Sequence, residues 1–196
     1  MNNRQTNTNT LTKMRTIDLT LIPLFSALIA VGAFIKVPIG IVPVSAQFVF
    51  CALAGILLGA RKGFMAVGLY LLIGLSGIPV FTGGGGPQYV FYPTFGYLVG
   101  MLFGTTLIGY LTQKFGGGKI LPVFLFCLLG LTVVYTLGVV WLFLIKNSFM
   151  AASNLSLNDA IVKGALIFLI GDSLWCGVAS VIGTRINRIM SGRYLK

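Results

Sequence analysis

Residues 63–113 read GFMAVGLYLLIGLSGIPVFTGGGGPQYVFYPTFGYLVGMLFGTTLIGYLTQ and contain no charged residue. Ionised side chains are excluded from hydrocarbon, so a long, uncharged and apolar run is typical of segments that cross a bilayer. The whole chain shares this character, since 57% of it is hydrophobic and 9% is charged. These values lie far outside the range of soluble domains. The sequence therefore predicts a polytopic membrane protein.

The apolar runs divide into six predicted membrane-spanning helices, because each run ends at glycine, proline or basic residues. The predicted spans are Leu19–Ile35, Ser45–Ala60, Phe64–Ser76, Phe95–Thr112, Leu121–Ile145 and Ala160–Ile182. Asp18 is predicted to cap the first span, and residues 59–63 to form a basic turn. We expect one all-α membrane domain over residues 1–196, with a polar N-terminal segment at 1–17, the bundle at 18–190 and a basic tail at 191–196.

The basic residues predict the orientation of these spans. With both termini in the cytoplasm, eleven of the fourteen Lys and Arg lie on the inner side, as the positive-inside rule requires. The glycine-rich segment Ile78–Thr94, between the third and fourth spans, then lies outside with the segments Lys36–Pro43 and Lys146–Asn158. We therefore expect a multi-pass protein of the cell membrane that recognises a solute from outside.

Several other classes of function are disfavoured. The chain has no histidine and only three, widely separated cysteines, so neither a metal site nor a Ser–His pair is expected. No Walker motif is present, so the chain is not expected to hydrolyse ATP itself. The net charge of +11 is explained by span ends rather than by nucleic acid. We expect no enzyme activity and no cofactor.

Two polar residues inside the apolar runs are the first candidates for ligand binding. Asp172 lies in an otherwise uncharged stretch of the last span, where a carboxylate faces a cavity, a partner charge or a transported species. Its alternative role is structural, paired with Lys163. Gln47 opens the second span, and its amide suits a urea-like or amide-like group. An interhelical hydrogen bond is the alternative for Gln47.

The glycine-rich outer segment supplies further candidates. Gly84 and Gly85 are interpreted as positions where the backbone approaches a ligand, or where a loop moves as a lid; a merely flexible loop is the alternative. Tyr89 and Tyr97 are candidates for lining a pocket or for an interfacial belt. Trp175, three residues after Asp172, is a candidate for stacking on a flat ring or for simple packing.

Several segments together resemble the BioY family. They are 27–33 (ALIAVGA), 43–47 (PVSAQ), 53–63 (LAGILLGARKG), 74–81 (GLSGIPVF), 93–97 (PTFGY) and Gly171-Asp172. The resemblance covers about residues 17–190. Phe95 stands at a position where the family has glycine, and Trp175 stands where the family commonly has lysine.

The resemblance implies a biotin-specific substrate-binding subunit (S component) of an energy-coupling factor transporter. Gln47 and Asp172 would then bind the ureido ring of biotin, and Lys163 is the nearest basic residue in sequence. The small residues Ser26, Ala27 and Ala30 of the first span would form the docking surface for a transmembrane coupling protein and two ATPase subunits.

Two other functions stay open from the sequence. An ion-coupled secondary transporter would use Asp172 as a proton relay, although no repeated pair of broken spans is visible. An S component for another vitamin would share the architecture. An intramembrane aspartate protease is disfavoured, because it needs two aspartates within spans and only Asp172 qualifies.

Overall fold

The computed structural model describes residues 16–37, 44–148 and 156–194. Over this part of the chain the fold is a bundle with five helical stretches long and apolar enough to cross a membrane, which confirms the predicted all-helical, polytopic character. The helices are α1 Thr16–Phe34, α2 Gln47–Leu75, α3 Phe95–Phe115, α4 Ile120–Ser148, α5 Leu157–Ile161 and α6 Ile167–Tyr194. Helix α6 is joined to α5 by a π-helical turn, Val162–Leu166.

The predicted second and third spans lie in one helical stretch, α2, which is broken at Gly59. This glycine has φ 81° and ψ 179°, a conformation that other residues avoid. A Cβ built on Gly63 would lie 3.3 Å from the Cα of Gly55, whereas eight residues of a straight helix span about 12 Å. The two halves of α2 therefore fold back on each other. The predicted five-residue turn is wrong in extent, because Arg61 and Lys62 already belong to the second half.

Helix α3 packs between α2 and α4, and α6 packs against both α2 and α4. The contact between α3 and α4 is made backbone to backbone. A Cβ built on Gly100 would lie 2.7 Å from the Cα of Val134, and one built on Gly104 would lie 2.7 Å from the carbonyl oxygen of Gly130. Such close approach is the usual way for membrane helices to associate, and it brings the neighbouring side chains of α3 and α4 together.

The start of α1 differs from the prediction. Asp18 lies within the first helical turn, so it does not cap the helix. Its carboxylate is buried and accepts a hydrogen bond of 2.6 Å from the ammonium of Lys62. This ion pair ties α1 to the second half of α2, and it explains how the carboxylate is tolerated at a buried position.

The glycine-rich segment 78–94 is folded onto the end of α2. Phe81 and Tyr89 are both 2% exposed, and their ring centroids are 4.6 Å apart. Residues Pro87–Phe91 form a 3-10 helix. The N–H of Gly86 donates to the carbonyl of Gly74 at 2.8 Å. The segment is thus a packed cover over this end of the bundle.

A short antiparallel pairing lies beside this cover. Strand β1, Lys36–Val37, pairs with β2, Val44–Ser45, with Lys36 opposite Ser45. The predicted outer segments at 38–43 and 149–155, the N-terminal residues 1–15 and the last residues 195–196 lie outside the described residues.

Candidate functional site

A cavity opens between α3, α4, α6, the first turn of α2 and the cover segment. Its walls are mainly apolar, with a few polar groups. The residues that line it are Ser45, Gln47, Phe48, Thr82, Thr94, Tyr97, Leu98, Met101, Leu131, Val134, Tyr135, Phe168 and Asp172. An apolar pocket with a small number of placed polar groups is the usual design of a small-molecule site.

Asp172 provides the charge in this cavity. It shares a face of α6 with Phe168, because residues four apart lie one above the other on a helix. The hydroxyl of Tyr135, on α4, donates a hydrogen bond of 2.6 Å to Oδ2 of Asp172. Among the described residues Asp172 has no other hydrogen-bond partner, so its second oxygen is available to a donor. The structure thus holds the carboxylate in place from one side only.

Gln47 lies on the same cavity at the first residue of α2. Its side chain is 1% exposed and lies near the hydroxyl of Tyr70, but its amide nitrogen makes no hydrogen bond of good geometry among the described residues. An unsatisfied buried donor costs about 1–3 kcal/mol, so such a group in a folded protein calls for an explanation. A ligand acceptor in the cavity would satisfy it.

Tyr89 and Tyr97 support the cavity in different ways. The hydroxyl of Tyr89 lies 3.2 Å from Oγ1 of Thr82 and 3.0 Å from Oγ1 of Thr94, both of which line the cavity. Tyr89 therefore lies behind the wall and orients these threonines. Tyr97 lines the cavity itself, and its hydroxyl donates to the carbonyl of Gly164 at 2.8 Å. That bond joins α3 to the π-helical turn.

Besides Tyr89, four of the predicted site residues do not line the cavity. Gly85 packs against the carbonyl of Ile78, and Gly84 has φ 121°, so both serve the turn of the cover itself. Trp175 is half-buried and packs on the edge of the hydrophobic core. The ammonium of Lys163 lies 3.3 Å from Asp159, one helical turn away, rather than beside Asp172. Their roles toward a ligand stay predictions.

The sequence reasoning missed Tyr135, the hydrogen-bond partner of Asp172. The sequence did contain an indication of its role, because a tyrosine hydroxyl in the middle of a long span must find a polar partner. The choice of partner could not be read from the chain, since Tyr135 and Asp172 are on different helices. Ser45, Thr82, Thr94 and Phe168 were missed for the same reason.

Lys36 brings a positive charge close to the cavity. Its ammonium donates to the carbonyl of Thr82, and its partner in the β pairing, Ser45, lines the cavity. The lysine side chain is exposed. The strand pairing and the cover segment therefore place an exposed cation at the rim.

The predicted docking residues lie on α1, away from the cavity. Ser26, Ala27 and Ala30 line a shallow apolar groove together with Leu69 and Ile73 of α2. Ala27 is exposed and Ala30 half-buried, whereas Ser26 is 3% exposed and faces the bundle. In this groove the two alanines are accessible from outside the bundle, whereas the serine is buried.

Among the described residues, no group of three or more His, Cys, Asp or Glu side chains is placed to hold a metal ion.

Comparison with known proteins gives consistent matches over nearly the full chain. The family model described as "BioY family" matches residues 4–192. A probable biotin transporter from Lysinibacillus sphaericus is 35% identical over 95% of both chains. One from Pyrococcus horikoshii is 36% identical over 89% of this chain and 98% of its own. The crystal structure of the S-component for biotin from an ECF-type ABC transporter matches with a TM-score of 0.79 and 29% identity, covering 90% of this chain and 95% of that one.

Proposed function

The chain belongs to the BioY family, and from that premise we propose that it captures biotin from outside and delivers it inward when docked to an ATP-driven energising module. The observation that carries this proposal is the meeting of Asp172 and the unpartnered Gln47 amide on one cavity. These two groups match the ureido ring of biotin, which has two N–H donors and one carbonyl acceptor.

The proposed binding mode assigns one partner to each ureido group. Asp172 accepts from the ureido N–H groups, while Tyr135 holds the carboxylate from behind. The amide nitrogen of Gln47 donates to the ureido carbonyl. Hydrogen bonds to a charged group are worth on the order of 1.5–3 kcal/mol each. Leu131, Val134 and the other apolar lining residues would cover the sulfur-containing ring.

Entry of the ligand requires movement. The enclosed part of the cavity is about 50 Å³, which is room for a few water molecules and too little for a bicyclic vitamin. Thr82 and Thr94 belong to the cover segment, so displacement of this segment would widen the cavity from the outer side. We expect the segment to close again over bound biotin, as lids commonly do.

The carboxylate tail of biotin needs a cation or polar groups at the rim. The sequence pointed to Lys163, whose ammonium is paired with Asp159. Lys36 is the second candidate, because its ammonium already contacts the cover segment at Thr82. We favour Lys36, since its only described contact is a neutral carbonyl, which a carboxylate would replace with a gain in electrostatic attraction.

The proposed topology has six spans in one membrane domain with both termini inside. The reversal of α2 at Gly59 supports separate second and third spans. The groove formed with Ala27 and Ala30 would then receive a transmembrane coupling protein, and two ATPase subunits would supply the energy. The chain itself would catalyse no reaction.

Equilibrium titration of the purified, detergent-solubilised protein tests this function. We expect biotin to bind with nanomolar affinity, which corresponds to about −12 kcal/mol, and riboflavin and thiamine to give no response. A folded sample that ignores biotin and binds either control vitamin would assign the protein to another S-component specificity.

A further inference from the structure

A second polar crevice lies at the opposite end of the bundle from the cavity. It forms where α2 reverses, where α3 ends and α4 begins, and where α6 approaches its C-terminus. The crevice measures about 450 Å³, and its polar lining includes Thr112, Gln113, Asn187 and Arg188. None of these residues takes part in the proposed biotin site.

Arg188 is anchored at the edge of this crevice. Its Nε donates a hydrogen bond of 2.7 Å to the carbonyl of Gly118, in the loop between α3 and α4. Among the described residues, the guanidinium makes no ion pair and no other hydrogen bond. This hydrogen bond fixes one edge of the planar guanidinium. The terminal N–H groups are available to an anion that offers two oxygens.

No side-chain carboxylate of this protein is available to pair with Arg188. The chain has three acidic residues, and each is placed elsewhere. Asp18 is bonded to Lys62, Asp159 is paired with Lys163, and Asp172 lines the cavity at the opposite end of the bundle. The same end of the bundle also carries Lys114, Lys119 and Arg185. A bound anion or another molecule can therefore supply the counter-charge for this end.

The other polar side chains of the crevice hold its walls. The hydroxyl oxygen of Thr112 is buried, so it does not face the crevice, and the neighbouring amides are engaged with the backbone. Gln113 accepts from the N–H of Ala60 at 3.3 Å, and Asn187 donates to the carbonyl of Ile56 at 3.3 Å. These bonds fix the walls and leave the Arg188 guanidinium as the charged donor of the crevice.

We propose that this crevice binds the phosphate group of an anionic phospholipid. The guanidinium of Arg188 would bind its oxygens, and the N-terminus of α4, two residues beyond Gly118, adds positive potential. A lipid is favoured over free phosphate because large apolar side chains are exposed close to the lining residues in the chain. Phe115, two residues after Gln113, is 63% exposed, and Leu121, three residues after Gly118, is 69% exposed, so acyl chains have apolar surface near the headgroup. Basic pockets between spans are known to hold such headgroups.

Native mass spectrometry of the full-length protein, taken from nanodiscs of mixed phosphatidylcholine and phosphatidylglycerol, tests this proposal. We expect selective retention of phosphatidylglycerol, reduced roughly tenfold in Arg188→Gln, as loss of a charge-assisted contact implies. The matched control is Arg185→Gln, which removes the same charge one helical turn away, outside the crevice. It should leave retention within about twofold, a change worth less than one weak hydrogen bond.

Three outcomes would overturn the lipid site. Equal losses of phosphatidylglycerol retention in the two variants would mean that diffuse surface charge, rather than the crevice, holds the lipid. Displacement of the lipid by millimolar inorganic phosphate, with phosphate itself retained, would mean a free-anion site. Unchanged retention in Arg188→Gln, combined with lost biotin uptake in the assembled transporter, would mean that this end contacts a protein partner. If Arg188→Gln does not fold, Arg188→Lys decides, because it keeps the charge but loses the planar fork: reduced retention supports the site, and unchanged retention contradicts it.

Discussion

At the residue scale, the proposed site depends on one carboxylate and the hydroxyl that holds it. Asp172→Asn should weaken biotin binding about tenfold to a hundredfold, because the charge-assisted acceptor is lost. Tyr135→Phe should cause a smaller loss, about threefold to tenfold, since it removes only the bond that orients Asp172. Titration of both variants with biotin measures these effects. Tyr110→Phe, on the exposed surface, is the control, and equal affinity in Asp172→Asn and the parent protein would contradict the assignment.

Gln47 should show opposite effects on binding and on stability. Gln47→Leu removes an amide nitrogen that has no partner among the described residues, so thermal stability without ligand should be unchanged or higher. Biotin affinity should fall about fivefold, the value of one hydrogen bond of roughly 1 kcal/mol. Thermal melting and titration of the same sample give both numbers. Gln88→Leu, at an exposed position of the cover, loses a hydrogen bond to the carbonyl of Gly85, so it should lower stability slightly and leave biotin affinity unchanged.

The partner of the biotin carboxylate can be identified by comparing two lysines. Lys36→Met should weaken binding of biotin while leaving binding of biotin amide, which lacks the negative charge, nearly unchanged. Lys163→Met should affect neither ligand, because Lys163 is paired with Asp159. Titrations of both ligands against both variants test this. If instead Lys163→Met binds biotin no better than biotin amide, the partner of the biotin carboxylate is Lys163, as the sequence suggested.

Single site residues were predictable from the sequence only where a polar side chain interrupts or begins an apolar span. A lone aspartate in an apolar span and a glutamine at a span start were visible as such, and both line the cavity. Tyr135 and Thr94 became apparent only when separate helices and loops were placed side by side. The roles predicted for Gly84 and Gly85 rested on the flexibility of glycine, whereas in the structure these residues shape the turn of the cover segment.

At the scale of elements, the geometry of the cavity depends on the close approach of α3 and α4. Gly100→Ala should lower stability by about 1–3 kcal/mol, as overpacking typically does, because the new methyl group would meet the backbone of Val134. Biotin affinity should fall with it, since Met101 and Tyr135 would move apart. Thermal melting in detergent and biotin titration measure the two effects.

Gly68→Ala is the matched control for this change. Its added methyl group would meet only the tip of Leu102 at 3.9 Å, an ordinary contact. Removing a helical glycine there should raise stability by about 0.5–1 kcal/mol. If both substitutions stabilise the protein, the α3–α4 contact is looser than described.

Element boundaries were predictable where glycine, proline or charge marked them. The ends of α3 and α4 came out within a few residues of the structure for this reason. The composite last helix did not, because a π-helical turn depends on a contact with Tyr97 from another helix. The reversal of α2 was anticipated as a basic turn, but a single glycine proved sufficient.

At the scale of the whole molecule, binding and docking are proposed to use separate surfaces. Ala30→Trp should leave biotin binding intact and abolish uptake by cells that contain the energising module, because the indole would fill the groove on α1. Val31→Trp, at an exposed position one residue away, should preserve both. Parallel measurements of uptake and binding distinguish the outcomes. Full uptake by Ala30→Trp would place the docking surface elsewhere.

The position of biotin in a crystal structure of the complex tests the proposed site most directly. We expect the ureido ring between α2 and α6, with a ureido nitrogen within about 3 Å of the Asp172 carboxylate. The amide nitrogen of Gln47 should lie at hydrogen-bond distance from the ureido carbonyl. Biotin bound elsewhere, with Asp172 still bonded only to Tyr135 and the Gln47 amide still unpartnered, would contradict it.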